Sequence, residues 1–513
     1  MLEIKITQNG KTRIERIFVI DAHSHLGQDV DGATMMNPLA PGSGTFDFWS
    51  RVEGKIVESW QQNQNQSYST ILNGISTKLE FNFTRFPFTE KLINSLHELG
   101  NKHSDLKEKL QFNSFIDQAT VFPFQDVFRD KYPDALYHAS NLNIARFTKR
   151  FPFSLKLIGY CRVDPTEGEK AINEVKFSRE KLGLRGLKLH PRSEGWVDKT
   201  ATEVPIKVLL EAAKYSMPII FDTRGKRTII DIGKLVGKTR DVMKRKYPEL
   251  LPHFKVIIAH FAQGNVGDYD VYNTIVQPST YGDLSMLHGK GAKNFFTDFQ
   301  QWFKNHDKIN VDGRDWSEYL LFATDYPYFG EIHAQKLLIN MFSKDFFENG
   351  GKILDIKNIL GLNQIKLLPE YNHLDVTTQE KKNKRFIVSN ISEREKNSHK
   401  MILEGIAELL ANNQIDIEDF YLKFKSDWKE IQNNLYLKLQ KPNSDQKFQV
   451  LILNIVENLI TLFTVLPEGS KRKIFEYNYF NIDDNQDLKS LLNQSYILTQ
   501  QKEVSDTMKQ FFI

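Results

Sequence analysis

The stretch FVIDAHSHLG, residues 18–27, joins an apolar run to three polar side chains at alternate positions. Successive side chains of a β-strand point to opposite faces, so we expect Asp21, His23 and His25 on one face of a strand. The two imidazoles would then lie roughly 7 Å apart, from a rise of about 3.3 Å per residue, and both could turn onto one metal ion. A pair of hydrogen-bonded histidines at a strand end is the alternative interpretation.

Seven further strand-like segments follow along the chain, and amphipathic, helix-like segments separate them. In order they are QATVFPF, LKLIGYCRV, GLRGLKLH, PIIFDT, KVIIAH, NFFTDF and LLFATD. Their residues are apolar on both faces until the last positions, which is typical of buried parallel strands. Eight β-then-α units predict an α/β protein, a (β/α)8 TIM barrel, over residues 1–370. No Gly-x-Gly-x-x-Gly motif follows any of these segments, which weighs against a dinucleotide-binding fold.

A long insertion, about residues 28–115, separates the first strand from the second. It is rich in aromatic residues, among them Trp49, Trp60 and the run FNFTRFPF. An insertion between a barrel strand and its helix lies on the catalytic face, so this one is expected to form a lid or a pocket wall. A peripheral subdomain is the alternative.

The pattern changes after residue 370. The charged stretch TTQEKKNKRF is typical of a linker, and the segments after it place apolar residues at three- and four-residue spacing. This spacing predicts an all-helical C-terminal domain over residues 376–513, without a metal or nucleophile motif. Its most apolar segment, VLILNIVENLITLFTVL, carries Asn454, Glu457 and Asn458, which a membrane span avoids. We therefore expect a buried helix in this segment.

Composition limits the partners and the cellular setting. Among 513 residues, 68 Lys and Arg stand against 64 Asp and Glu, and the net charge of +4 predicts neither a nucleic-acid nor a membrane partner. The one cysteine, Cys161, excludes an internal disulfide and a cysteine-based zinc site. The N-terminal residues lack an apolar signal core, so we expect a cytoplasmic protein that acts on a small-molecule substrate. Homo-oligomerisation is left open.

Side chains of metal-ligand type stand at the C-terminal ends of the predicted strands. In chain order they are Asp21, His23, His25, Lys188, His190, Asp222, His260, Asp298 and Asp325. Catalytic residues of barrel enzymes come from the ends of several strands. Histidine and carboxylate ligands without cysteine suit Zn²⁺, Mn²⁺ or Fe²⁺. The pattern predicts a metal site at the mouth of the barrel, with Asp298 in a supporting structural role.

The motifs DAHSH, GLKLHP, IIAHF and FATDYP resemble the amidohydrolase superfamily, and in particular the amidohydrolase-related branch that includes aminocarboxymuconate-semialdehyde decarboxylase. The resemblance covers about residues 16–368 and extends to ILGLNQIKLL, which is similar to the closing Gly-x-Asn helix of the branch. It implies that His23 and His25 bind the metal. It further implies that His260 polarises the substrate or steadies the transition state, and that Asp325 touches the metal and handles the proton of its water.

The fifth strand departs from the family pattern, because Asp222 stands where a ligand histidine is usual. Aspartate can bind zinc, so the resemblance implies either an altered site with Asp222 as a ligand or a site that is weakened or lost. The implied cofactor is one divalent ion rather than two. Zinc is the expected metal, with Mn²⁺ and Fe²⁺ as alternatives.

Lys188 in GLKLHP is a second candidate metal ligand. Some members of the superfamily carry a carboxylated fourth-strand lysine that bridges two ions, and the motif resembles that context. The plain alternative is a charged lysine that holds a substrate anion or Asp222. His190 shares the face of Lys188 and would reach the pocket from the loop, as a metal or substrate contact.

Three functions are compatible with these residues. The leading hypothesis is a metal-dependent hydrolase that uses a metal-activated water on a small amide, ester or lactone. The second is a non-oxidative decarboxylase on the same barrel, in which Arg224 of the basic loop TRGKRT holds the substrate carboxylate. The third is a degenerate barrel that serves as a binding protein, which the aspartate at position 222 keeps open.

Overall fold

The computed structural model describes the barrel, the elements attached to it and six short C-terminal strands. The described residues are 1–26, 45–63, 66–85, 114–123, 135–148, 157–197, 202–261, 267–287, 294–306, 312–326, 330–368, 421–422, 429–431, 434–440, 448–454, 459–465 and 471–478. The predicted linker, the rest of the predicted C-terminal domain and a large part of the insertion lie outside these residues.

Eight parallel strands form one nearly closed barrel. In the order in which they are hydrogen-bonded they are β3 (Ile20–Leu26), β6 (Gln118–Pro123), β7 (Leu157–Arg162), β8 (Gly186–Leu189), β9 (Ile219–Phe221), β10 (Val256–Ile258), β11 (Thr280–Asp283) and β12 (Leu320–Leu321). The two edges meet where the Ala22 N–H donates to the Phe322 carbonyl at 3.0 Å and a parallel bridge joins Ser24 to Tyr326. The predicted TIM barrel is confirmed.

Helices follow the strands and pack on the outside of the barrel. They are α1 (Thr45–Asn63), α2 (His138–Thr148), α3 (Glu169–Glu180), α4 (Val204–Lys214), α5 (Lys226–Lys246), α6 (Tyr269–Ile275), α7 (Phe295–Asn305), α8 (Gly330–Met341), α9 (Lys344–Glu348), α10 (Ile353–Lys357) and α11 (Asn363–Leu367). In α4 the buried residues Ile206, Leu209 and Ala213 recur at three- and four-residue spacing, which gives one apolar stripe toward the strands. Among the described residues, no helix is long and apolar enough to cross a membrane.

Two separate cores distinguish the inside of the barrel from the outside. Ile158 and Tyr160 of β7 belong to the smaller, interior core, whereas Leu157 and Cys161 belong to the larger core between strands and helices. This alternation follows from the two-residue period of a strand. It identifies which side chain of each strand points into the barrel, and the buried Cys161 points out of it.

The first barrel strand carries a register shift at the histidine motif. Ala22 faces the interior, and so does His23 next to it, because the pairing of β3 with β6 shifts at this point. His25 follows His23 inward, whereas Asp21 accepts a hydrogen bond from Trp49 Nε1 of α1 at 3.3 Å. The prediction that Asp21 shares a face with the two histidines is therefore wrong, since a bulge breaks the alternation.

The seventh barrel strand is β11 and not the segment NFFTDF. That segment begins α7, in which Phe295, Phe299 and Trp302 recur at helical spacing and are buried. A short apolar run has no periodicity that separates a strand from a helix, which explains the wrong prediction. Asp298 lies on this helix, where it accepts a hydrogen bond from the Tyr272 hydroxyl at 2.7 Å.

The barrel is closed by a Gly-x-Asn turn at the start of α11. Gly361 lies so close to the chain entering β3 that a Cβ at this position would clash with the carbonyl oxygen of Phe18. The Asn363 amide donates to the carbonyl oxygens of Ser317 at 2.8 Å and Leu320 at 2.9 Å. Glycine thus permits the approach, and the asparagine satisfies carbonyl groups at the start of β12.

A second, antiparallel sheet combines the N-terminus with part of the insertion. Its order is β2 (Lys11–Ile17), β1 (Leu2–Gln8), β5 (Ile75–Phe83) and β4 (Ser67–Leu72). Phe81 of β5 packs against Phe342, just after α8, with ring centres 5.7 Å apart, and the Tyr68 hydroxyl donates to the Phe342 carbonyl at 2.7 Å. The described part of the insertion therefore consists of helix α1 and a peripheral sheet, and the lid prediction otherwise concerns residues outside the described ones.

The described C-terminal residues are strands and not helices. They are β13 (Tyr421–Leu422), β14 (Lys429–Ile431), β15 (Asn434–Gln440), β16 (Phe448–Asn454), β17 (Leu459–Val465) and β18 (Lys471–Asn478), paired in an antiparallel sheet. The all-helical prediction for 376–513 is wrong over these segments, and so is the buried helix in VLILNIVENLITLFTVL, which contributes to β16 and β17. Its Ile, Val, Thr and Phe residues suit a strand as well as a helix core.

Candidate metal centre

Side chains from six barrel strands meet in a buried polar layer at the C-terminal mouth. They are His23, His25, Lys188, Asp222, His260, Asp283 and Asp325. The structure thus brings together the predicted residues of the first, fourth, fifth, sixth and eighth strands, and adds Asp283. His23 Nε2 lies 3.1 Å from Asp325 Oδ1, so these two side chains are close enough to share one ion.

Asp283 holds His23 in one orientation. The Nδ1–H of His23 donates to Asp283 Oδ2 at 2.7 Å, and Nε2 is left to face Asp325 and, at 3.3 Å, Lys188 Nζ. Burial and Lys188 lower the pKa of His23, but Asp283 and Asp325 outweigh them and raise it to about 8. A carboxylate on the second nitrogen of a metal-binding histidine fixes its tautomer and strengthens it as a ligand.

Asp325 joins the two histidines of the first strand. His25 Nε2 lies 3.0 Å from Asp325 Oδ1, and burial lowers the pKa of His25 to about 3, so its ring is neutral. Burial raises the pKa of Asp325, but His260 and His23 hold it well below its usual range. Asp325 Oδ2 is buried and has no hydrogen-bond partner among the described residues. A buried carboxylate oxygen of this kind needs a proton donor or a cation.

His260 enters the site through a left-handed turn with φ +56°. Its Nδ1 lies 2.7 Å from Ser285 Oγ, and Ser285 in turn donates its hydroxyl proton to Asp283 at 2.5 Å. Ser285 must therefore accept the Nδ1–H of His260. The Nε2 atom of His260 faces Asp222 Oδ2 at 3.4 Å, where the carboxylate oxygen can only accept a hydrogen bond. In this contact Nε2 is a hydrogen-bond donor, and it could bind a metal ion only after giving up that proton.

Asp222 is surrounded by basic side chains. Its Oδ2 lies 3.3 Å from Lys188 Nζ, and its Oδ1 lies 3.4 Å from His190 Nε2 and 3.5 Å from Arg224 Nε. Burial raises the pKa of Asp222, but Lys188 and His190 hold it well below its usual range. Arg224 is the member of this group that lies at the rim, with 34% of its side chain exposed. The plain interpretation of Lys188, an ammonium held by Asp222, is the one that this geometry matches.

Among the described residues, two groups of side chains are arranged so that they could hold a metal ion. One is His23, His25 and Asp325, and the other is His23, Asp222 and His260, and within each the ligand atoms lie within 4.8 Å of one another. Both groups use His23 Nε2, because its Nδ1 is bound to Asp283. Lys188 lies 3.3 Å from His23 Nε2, which both groups share, and 3.3 Å from Asp222, which belongs to the second group alone. Its ammonium therefore repels an ion in the second group more strongly, and the first group fits a divalent ion better.

Asp283 belongs to the site, although it is not among the residues predicted from the sequence. It is the last residue of β11. This strand, TYGD, is only four residues long, includes a glycine and lacks the apolar run that would indicate a strand. The available signal was indirect: a barrel needs a seventh strand between His260 and Asp325, and Asp283 is one of several acidic residues in that interval.

Neither a protein-family model nor a curated protein matches this sequence. Among solved structures, an uncharacterized TIM-barrel protein from Bordetella bronchiseptica matches at 13% identity and a TM-score of 0.37, over 68% of this chain and 98% of that chain. A 5-carboxyvanillate decarboxylase from Novosphingobium aromaticivorans, in complex with manganese and 4-hydroxy-3-methoxy-5-nitrobenzoic acid, matches at 10% and 0.37, over 70% and 96%. An amidohydrolase from Mycobacterium avium subsp. paratuberculosis matches at 13% and 0.35, over 69% and 99%.

These proteins are named as a TIM-barrel protein, a decarboxylase and an amidohydrolase. At 10 to 13% identity and TM-scores of 0.35 to 0.37, the likeness assigns no function to this chain. The function proposed below is therefore based on the side chains of the site itself.

Proposed function

We propose that this protein is a metal-dependent hydrolase in which His23, His25 and Asp325 hold one divalent ion. The observation that carries the proposal is the meeting of two imidazole nitrogens on one carboxylate oxygen, at 3.1 Å from His23 and 3.0 Å from His25. His23 must lose its Nε2 proton to act as a ligand, so metal binding would release a proton. Zinc fits two nitrogens and one carboxylate, and Mn²⁺ or Fe²⁺ are the alternatives.

An ion bound in this group would supply an acidified water and a Lewis acid for a carbonyl group. The chain would do the rest of the work. Asp325 Oδ2, which no described donor occupies, would accept the proton of the attacking water and return it to the leaving group. His260, held by Ser285 and Asp283, would orient the reacting group from the sixth strand, as donor when it is doubly protonated.

The three basic side chains around Asp222 favour a second candidate, a decarboxylase. Lys188 lies 3.3 Å from one carboxylate oxygen of Asp222 and Arg224 lies 3.5 Å from the other. Cations on this side of the layer suit a substrate that carries a carboxylate. Hydrolysis and decarboxylation on this barrel would use the same ion, so they differ in the substrate and in the product.

Metal analysis followed by a substrate panel tests the proposal. Protein purified without chelator is expected to contain about one Zn²⁺, Mn²⁺ or Fe²⁺ per chain, as three ligands to one ion require. Amides, esters and lactones are then assayed for hydrolysis, and aromatic acids for carbon dioxide release. Carbon dioxide without hydrolysis would select the decarboxylase. A chain that binds none of the three metals would favour the non-catalytic binding protein.

A further inference from the structure

Arg162 is a buried arginine at the mouth of the barrel that the proposed chemistry does not use. It is the last residue of β7 and its side chain is fully buried. Ile158 and Tyr160 of the same strand face the interior, so the two-residue period turns Arg162 inward as well. Arg162 is the register partner of Lys188 in β8, which places the two side chains at one level of the barrel.

The guanidinium of Arg162 has one nitrogen left over. Nε donates to Glu194 Oε1 at 2.7 Å, Nη1 donates to the Pro123 carbonyl at 3.4 Å, and the Tyr137 ring lies 4.5 Å from Cζ. Nη2 is buried and has no hydrogen-bond partner among the described residues. Buried N–H groups are rarely left without an acceptor, and a charged one is the costliest to leave so. Within the described part of the chain, Nη2 therefore still lacks an acceptor.

The guanidinium is held so that it cannot turn away from this position. Besides the bond from Arg162, Glu194 accepts hydrogen bonds from the backbone N–H of His190 and the indole Nε1–H of Trp196, both at 3.0 Å. Asn141 fixes the backbone of Arg162. The side-chain oxygen of Asn141 accepts the Arg162 N–H at 2.8 Å, and its amide nitrogen donates to the Arg162 carbonyl at 3.0 Å. This is the arrangement of a prebuilt binding group, since its geometry is set before any ligand arrives.

The charge of Arg162 acts on the same site residues that surround Asp222. Burial lowers the pKa of His190 and of Lys188, and the positive charge of Arg162 lowers both further. Burial lowers the pKa of Arg162, but Glu194 above all, with a smaller contribution from Asp222, raises it. Arg162 is a cation of the buried layer, and Arg224 at the rim lies 3.5 Å from Asp222 Oδ1.

We propose that Arg162 binds a carboxylate of the substrate through Nη2, so that the site takes a carboxylic acid. Guanidinium N–H groups match the oxygen positions of a carboxylate, and Arg162 already donates its Nε–H to the carboxylate of Glu194. The proposal rests on the proposed function in one respect only, because it assigns the ligand to the same pocket. It makes Arg162 a specificity-determining residue, with Arg224 as its partner at the rim.

Calorimetry with benzoate and its neutral counterpart benzamide tests this, on the full chain with its metal and again after chelator treatment. Wild type is expected to bind benzoate roughly tenfold more tightly than benzamide in both states, the effect of one charge-assisted contact. Arg162→Lys keeps a cation beside Glu194 and should lose roughly that tenfold, with unchanged benzamide binding and metal content. Arg314→Lys, at an arginine outside the site, is the matched control and should bind benzoate as wild type does.

Several results would overturn the proposal. They are equal binding of benzoate and benzamide by wild type, unchanged benzoate binding in Arg162→Lys, and tighter binding of inorganic phosphate than of benzoate. Because the chelator-treated protein is measured too, failure of the metal assignment leaves this result standing. Should Arg162→Lys not fold, Glu194→Gln replaces it: removal of the competing carboxylate should strengthen benzoate binding, and weaker or unchanged binding would count against the proposal.

Discussion

His23 and Asp283 are joined across the barrel by a hydrogen bond of 2.7 Å, between Nδ1 on the first strand and Oδ2 on the seventh. Both side chains are fully buried. Asp283 also accepts a hydrogen bond from the backbone N–H of His260 at 2.9 Å, so one carboxylate positions two histidines of the candidate metal centre. The metal-binding ability of the site is therefore expected to depend on a residue that is not itself a proposed ligand.

Asp283→Asn tests this dependence. The amide keeps the size of the side chain but removes the charge that fixes the His23 tautomer, and supporting carboxylates of this kind are worth about 10- to 100-fold in metal affinity. We expect a loss of that size in a zinc titration. Asp298→Asn on α7 is the control and should bind metal as wild type does. An Asp283→Asn protein with wild-type affinity would show that His23 needs no such support.

The metal-free protein should be most stable near pH 6.5. The pKa of His23 is raised to about 8, so its contribution is complete below pH 6.5 and is lost as the pH rises through 8. The pKa of His25 is lowered to about 3, so the fold requires its neutral ring and loses stability as the pH falls below 6.5. Melting temperatures of chelator-treated protein across pH 5 to 9 measure this. His23→Gln should abolish the decline on the alkaline side, and a decline that persists would contradict the assignment.

Asp222→Asn should reduce stability and leave metal content unchanged. The substitution leaves the buried Lys188 ammonium without its carboxylate at 3.3 Å, and breaking one half of a buried ion pair costs about 3–5 kcal/mol. The double variant Asp222→Asn, Lys188→Met removes both charges and should recover part of the melting temperature. Loss of metal at an unchanged melting temperature would instead identify Asp222 as a ligand.

Gly361→Ala should destabilise the barrel. A Cβ there meets the Phe18 backbone rather than a movable side chain, and overpacking of this kind costs about 1–3 kcal/mol. Gly54→Ala is the matched control, because a Cβ at that position of α1 meets no atom within 4 Å and alanine favours a helix. Urea unfolding of the two variants gives the comparison, and equal midpoints would show that the chain before β3 can shift.

The barrel was predictable from sequence because seven of its strands are apolar runs with a polar residue at the end. The segments at His23, Lys188, Asp222, His260 and Asp325 all follow this rule, and all five side chains meet in the site. The rule depends only on burial of both faces of a parallel strand, so it requires no knowledge of tertiary contacts.

The predictions that were wrong or absent have causes that are equally local in the sequence. Asp283 ends a strand whose glycine and tyrosine form no apolar run, whereas the aromatic run before Asp298 belongs to a helix. The bulge in β3 reverses the expected direction of Asp21, and no residue type in the motif announces it. Arg162 was not predicted, because an arginine at a strand end is usually solvated. Its burial depends on an ion pair with Glu194, which lies on a later segment of the chain.

The central claim is that His23, His25 and Asp325 bind one divalent ion, and the most direct test is the metal content of protein purified without chelator. Mass spectrometry should find about one ion per chain in wild type and in the control variant His306→Ala. His306 directly follows the last residue of α7 and does not belong to the site. The double variant His23→Ala, His25→Ala should fold and retain less than about a tenth of that metal. Equal metal in the folded double variant would contradict the claim.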